Sequence, residues 1–292
     1  LTVPFRPTTQ EQELYNGITA LLEKDDSYAL PTKQKHLTGL ILRKLLASSS
    51  FAVMNTLETI KKRLVGLKTG ELEETDLISH LVENDDLEQD YIEEVDAEDI
   101  HLDDDIDQEQ LAYEIEELEQ YIQQAKSITQ DSKATALLTA LNQGFEQMAE
   151  MNAPKKVIIF TESKRTQEYL ARFLAANGFG NDNVSSEENS NPIVTFSGTN
   201  NSPQATQIYQ QWLEENEGSD KVSGSPQIDR RSALIDHFKH HAEIMIATEA
   251  AAEGVNLQFC SLLINYDLPW NPQRVEQRIG RCHRYGQKFD VV

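Results

Sequence analysis

Four short apolar runs limit what the C-terminal half of this chain can become. Val157-Ile-Ile-Phe160, Ile193-Val-Thr-Phe196, Ile244-Met-Ile-Ala247 and Leu262-Leu-Ile-Asn265 are each too short for a stable helix. Their apolar residues are continuous rather than alternating, as expected of strands buried on both faces. Helical segments separate them. One runs from Lys164 to Asn177 with Gly178 to stop it, one carries Ile208 and Trp212, and one spans Ser232 to His240. A last helix opens at Asn271-Pro272, where asparagine caps and proline suits the first turn, and Gly280 is expected to close it. Asp290-Val-Val292 would begin one more strand. Strands alternating with helices predict an α/β unit over residues 151–292, an open, mostly parallel sheet with helices on both faces.

The period is helical before Pro154. Pro4 and Pro7 keep the start extended, and Thr8 or Thr9 can cap a helix bearing Leu14, Ile18, Leu21 and Leu22. Leu37, Leu40, Ile41, Leu45 and Leu46 mark a second helix. Phe51, Met54, Leu57, Ile60 and Leu64 mark a third, with Gly66 as its expected stop. These form a helical region over 1–66. Residues 109–150 are again helical. Leu111, Ile115, Leu118, Ile122 and Ala125 are spaced four and three apart, as along a coiled-coil seam, and a second helix spans Ser132 to Met151.

Between them, residues 67–108 read as an acidic insert. The net charge of -23 comes from 49 acidic and 26 basic residues, but residues 71–120 hold 23 of the acids and no Lys or Arg. Elsewhere 26 acids face 26 bases, so the bulk of the chain is neutral and is not repelled by nucleic acid. A block of like charge is expected to be solvated and in part disordered; the sharper alternative is an acidic flap that imitates DNA over a basic surface. No apolar run approaches the ~20 residues needed to cross a bilayer, which excludes an integral membrane protein. Cys260 and Cys282 cannot by themselves make a disulfide framework or a four-thiolate zinc site, and no metal site is expected. The chain starts without methionine and reads as a piece of a longer protein.

Ligands of an open parallel sheet bind beyond the carboxyl ends of its strands. Here those ends lead into Thr161-Glu162-Ser163, Ser197-Gly198, Thr248-Glu249 and Asp267, four small polar or acidic clusters on one rim. Ordinary helix capping explains any one of them; their agreement favours a site for phosphates. Ala250-Ala-Ala-Glu-Gly254 follows the third strand and permits close approach of a backbone or a phosphate. Trp270 reads as a packing anchor. The stretch 274–288 carries Arg274, Arg278, Arg281, Arg284 and Lys288 against the single acid Glu276. Guanidinium groups stay charged and present a fork of donors, which suits a transferring phosphoryl group.

Gln277, Gly280, Arg281 and Arg284 fit the Gln-x-x-Gly-Arg-x-x-Arg sixth motif of superfamily-two helicases, and His283-Arg-Tyr-Gly-Gln287 resembles the Swi/Snf branch of ATP-dependent DNA translocases. Val157 to Ser163 is similar to that family's fourth motif and Thr248 to Gln258 to its fifth. Asp267-Leu-Pro-Trp-Asn-Pro272 matches wording found between the fifth and sixth motifs, above all in bacterial members. The resemblance is strong over 155–292, suggestive over 1–66, and silent about 70–130.

The resemblance implies a RecA-like second lobe, the helicase C-terminal lobe, of a Swi/Snf-family ATPase. The sequence contains no Gly-x-x-x-x-Gly-Lys-Ser/Thr loop and no Asp-Glu-x-His stretch. In the family these belong to the first lobe, which holds ATP and magnesium. Arg281 and Arg284 would then reach the nucleotide as arginine fingers. Gln277 would couple that site to DNA, and Gly254 would line the cleft. Thr161, Ser163, Ser197, Gly198 and Thr248 would touch the DNA backbone. The implied partners are double-stranded DNA, the N-terminal ATP-binding lobe of the same protein and a protein remodelling target, in the cytoplasm, at the nucleoid if bacterial. The alternatives are a strand-separating DNA or RNA helicase of the same superfamily and a non-catalytic helicase-like interaction module. On its own the chain is expected to be inactive.

Overall fold

The computed structural model describes residues 2–24, 27–30, 35–70, 107–180, 192–249, 254–269 and 271–282. The acidic block at 71–106 therefore lies outside the described residues, as do Trp270, Arg284 and the strand expected at 290–292. The chain divides into two compact units, residues 4–135 and residues 136–292 with the first three residues.

The first unit is all helix: α1 (Thr9–Glu23), α2 (Lys35–Ser48), α3 (Ser50–Thr69) and α4 (Gln108–Ser127). The starts of α1, α3 and α4 have a chemical cause. Thr8 and Glu11 form a reciprocal capping box on α1, Ser49 accepts from the Ala52 amide ahead of α3, and Asp107 accepts from the Glu109 and Gln110 amides of α4. The expected stop at Gly66 is not used. α3 runs three residues further, because Leu67 is buried in the same core, and ends at Gly70 with φ of 72°, a left-handed conformation suited to glycine. Leu14, Ile18 and Leu21 of α1, Val53, Leu57, Ile60 and Leu64 of α3 and Leu111, Leu118 and Ile122 of α4 form one core.

A carboxylate interrupts the apolar seam of α4. Glu114 is 2% exposed and accepts hydrogen bonds from the Tyr28 amide (3.1 Å), the Ala29 amide (2.9 Å) and Ser27 Oγ (3.0 Å). Arg63 holds the Tyr28 carbonyl from the other side at 2.9 Å. The turn before α2 thus folds onto α4 through one buried acceptor.

The second unit contains most of α5 (Ser132–Glu150), then β1 (Val157–Thr161), α6 (Lys164–Leu174), β2 (Ile193–Phe196), α7 (Pro203–Glu215), α8 (Pro226–His240), β3 (Ile244–Thr248), β4 (Leu262–Asn265) and α9 (Pro272–Cys282). The four expected strands form one parallel sheet in the order β2-β3-β1-β4. Val157 pairs with Ile244 and Leu262, so alternate residues fall on the same face across all neighbours. Phe160, Phe196, Met245 and Ala247 pack with Ile208 and Trp212 of α7 and with Leu234 and Phe238 of α8. Leu262 points the opposite way, towards Gly144 of α5, where a Cβ would come within 2.5 Å of Leu262 Cδ2. Helices therefore cover both faces, as the sequence pattern predicts.

Replacing Glu114 by Ala is expected to destabilise the helical unit by about 2–4 kcal/mol, because the buried Ala29 amide and the half-buried Tyr28 amide lose their acceptor. Glu114→Gln should cost markedly less. Urea unfolding followed by circular dichroism checks both.

Candidate functional site

The carboxyl ends of β1, β3 and β4 converge on one arginine. Each of these strands is followed by an acid, Glu162, Glu249 and Asp267, and all three are buried. Arg278 of α9 lies among them with no exposed surface. Its Nε donates to Glu249 Oε2 at 2.5 Å, and its Nη1 donates to Asn265 Oδ1 at 2.7 Å and to the Asp267 carbonyl at 2.9 Å. Nη2 stands 3.8 Å from Glu162 Oε1, and the guanidinium lies over the Phe160 ring, 4.7 Å from its centroid. Two carboxylates, an amide, a carbonyl and an aromatic face thus offset the desolvation of one cation.

The same rim is tied across the sheet by Asp267, whose Oδ2 accepts from Thr161 Oγ1 at 2.9 Å and from the Glu162 amide at 3.0 Å. Ser163 caps α6 by accepting from the Arg165 and Thr166 amides. Ser197 and Asn200 bond each other reciprocally, through the Ser197 amide (2.9 Å) and the Asn200 amide (3.3 Å). Thr161, Ser163 and Thr248 are fully buried, and Ser197 nearly so. Of the five residues expected to meet nucleic acid, only Gly198 is half-exposed. Beside it stand Thr199, which is exposed, and Lys164, whose Nζ is within 3.5 Å of Thr199 Oγ1 and 3.4 Å of Asn201 Oδ1. Lys164 is a functional candidate that the sequence reading passed over; its position one residue into the helix after β1 was the available signal.

α9 begins as expected, with Asn271 accepting from the Gln273 amide at 3.0 Å. It does not close at Gly280. The helix continues through Cys282, because its last turn is held on three sides. The Arg281 carbonyl accepts from the Leu257 amide at 3.1 Å, Cys282 is buried in the core beside Cys260, and Arg281 Nη2 approaches Glu249 Oε1 at 3.7 Å. Arg281 is thus helical and 6% exposed, not released into a turn. Gln277 is exposed on the same helix, and Gly254 is exposed with φ of 72°. Burial pushes the Cys260 thiol well above its ordinary range, aided by Cys282, so it stays protonated in the core. Arg284 belongs to the undescribed residues, so the arginine pair is seen through Arg281 alone.

Residues 180–286, from the turn after α6 to the end of the arginine stretch, match the helicase conserved C-terminal domain family. Over those residues the chain is similar to helicase C-terminal domains. The uncharacterized ATP-dependent helicase YqhH of Bacillus subtilis is 52% identical over 89 residues, which cover 30% of this chain and 16% of that protein. The RNA polymerase-associated protein RapA of Vibrio campbellii is 43% identical over 63 residues, covering 22% of this chain and 6% of that protein. Among solved structures, the C-terminal part of the Fun30 ATPase domain aligns with 98% of this chain at 15% identity and a TM-score of 0.45, covering 80% of that chain. The chain spans only a small part of the length of the curated relatives it matches. No helix among the described residues is long and apolar enough to cross a membrane.

Truncating Arg278 to Ala should cost about 3–5 kcal/mol, since Glu249 loses its hydrogen-bonded cation in a buried site. Lys should recover only part, because an ammonium cannot bond Glu249, Asn265 and the Asp267 carbonyl from one plane. Denaturant midpoints of this chain measure both.

Proposed function

We propose that this chain is the second motor lobe of an ATP-dependent double-stranded DNA translocase, supplying Arg281 and Arg284 to a nucleotide held on the first lobe. The observation that carries the reading is the fixation of α9 on the carboxyl edge of the parallel sheet by Arg278, which sets Arg281 beside the edge where such sheets bind ligands.

The donor set fits phosphates rather than a whole nucleotide. Arg281 presents a guanidinium at this edge, while the acids there are engaged: Glu249 with Arg278 and Arg281, and Asp267 with Thr161 and the Glu162 amide. Carboxylates so engaged do not suit magnesium, so the ATP and its metal belong on the first lobe. Bound there, ATP supplies the phosphoryl group whose transfer to water drives the cycle. Arg281 and Arg284 neutralise charge on the phosphates, Gln277 links that edge to the nucleic-acid side, and Gly254 lets the backbone come close. On the DNA side the accessible groups Lys164, Gly198 and Thr199 would meet backbone phosphates, and Thr161, Ser163, Ser197 and Thr248 would shape that edge from within. Phosphate contacts grip without reading sequence, as translocation requires.

The protein would act in the cytoplasm, at the nucleoid in a bacterium. The RapA proteins are named for association with RNA polymerase, so a protein complex seated on DNA is the first remodelling target to test. The name of YqhH keeps a strand-separating helicase as the second reading, and a displaced-strand assay separates the two.

The chain alone should not turn over ATP. In the full-length protein, Arg281→Ala or Arg284→Ala should lower DNA-stimulated turnover by about 10³-fold, with poor rescue by Lys. Steady-state phosphate release reads this directly, and near-normal turnover in both alanine variants would leave the interaction-module reading ahead. Duplex binding without ATP should survive those substitutions. Lys164→Ala should instead weaken it for every sequence alike and reduce the slope of log affinity against log salt by about one, measured by fluorescence anisotropy.

A further inference from the structure

Glu249 serves two arginines with its two oxygens. Oε2 accepts from Arg278 Nε at 2.5 Å, and Oε1 faces Arg281 Nη2 at 3.7 Å. The two contacts differ in kind. Arg278 is completely buried and is also bonded to Asn265 and the Asp267 carbonyl, so it cannot leave without abandoning several partners. Arg281, one turn further along α9, meets Glu249 at ion-pair rather than hydrogen-bond distance, and its side chain keeps 8% exposure. We propose that Glu249 is a positioning residue that parks Arg281 inside the lobe when no phosphate is present and gives it up when a nucleotide on the first lobe competes for it.

The physical basis lies in the cost of leaving a buried charge alone. Withdrawing the only cation from a buried carboxylate is strongly unfavourable. Here the carboxylate keeps the charge-assisted bond to Arg278 after Arg281 departs, so release is cheap enough to be reversible. Parking has a counterpart benefit. A guanidinium held close to the cleft edge needs a short rotation rather than a search, and it is withheld from other anions, including DNA phosphates. The apparent affinity for nucleotide is then reduced by the fraction of protein in which Arg281 is parked. The proposal rests on Arg281 being the finger argued above.

The test uses full-length protein and a fluorescent, non-hydrolysable ATP analogue. Glu249→Gln retains an oxygen for Arg278 but removes the charge that holds Arg281. It should tighten analogue binding by about threefold or more. In an Arg281→Ala background the same change should no longer alter affinity, giving a coupling that a merely structural role would not produce. Unchanged or weakened binding in a Glu249→Gln protein that melts like wild type overturns the proposal. Should that variant fail to fold, a structure of the wild-type protein with the analogue bound decides instead. Arg281 away from Glu249 with Arg278 still on it supports parking; Arg281 still on Glu249, or both arginines gone, overturns it. Normal turnover in Arg281→Ala would instead mean that the finger reading itself has failed.

Discussion

A guanidinium with no exposed surface is expensive, and the architecture of the α/β unit is arranged around meeting that cost at Arg278. Its partners come from the ends of β3 and β4 and from the turn beyond β4, with Glu162 at the end of β1 close by. None of these groups is adjacent in sequence to α9, so the cation acts as a gauge of correct assembly. A strand shifted by one residue would carry its acid to the other face and leave the arginine without its partner. The Phe160 ring beneath the guanidinium adds a packing surface on the same face as Asn265, which is its register partner across the β1–β4 pair.

This constraint explains which parts of the fold were legible from the residues alone. The four strands were, because a short continuous run such as Val157 to Phe160 has few alternatives once both faces are to be buried. The helix starts at Thr8 and Asn271 were also legible, since capping chemistry is local. Gly66 and Gly280 were misread for a common reason. Glycine weakens a helix by only about 1 kcal/mol, and burial of Leu67 in one case and Cys282 in the other outweighs it. Propensity can be read one residue at a time, whereas tertiary anchorage cannot.

The site was legible as a place more than as a set of atoms. Small polar residues do follow the strand ends on one rim, but their hydroxyls are spent on the fold: Thr161 on Asp267, Ser163 on the first turn of α6, Ser197 on Asn200. Residue identity says that a hydroxyl can bond a phosphate, not whether it already has a nearer partner. The acids beside them carried the more specific information. Carboxylates placed just after buried strands need donors or cations: Asp267 takes Thr161 and the Glu162 amide, and Glu249 takes Arg278 from α9. In the helical unit Glu114 makes the same point, since an acid at a seam position signals a buried donor set elsewhere, here the turn at 27–29.

Arg278 and Arg281 sit three residues apart on one helix, on the same side of it. They share one carboxylate yet differ in what they can do. The first is held from several directions and therefore transmits any displacement of α9 to the ends of three strands. The second meets Glu249 at longer range, 3.7 Å, so that contact can be exchanged without unseating the helix. The proposed motor lobe, which would keep its shape while changing its contacts once per cycle, would need this division between a fixed cation and a transferable one. With a single arginine, drawing it away to any anion would leave a buried carboxylate without a cation and loosen the sheet edge.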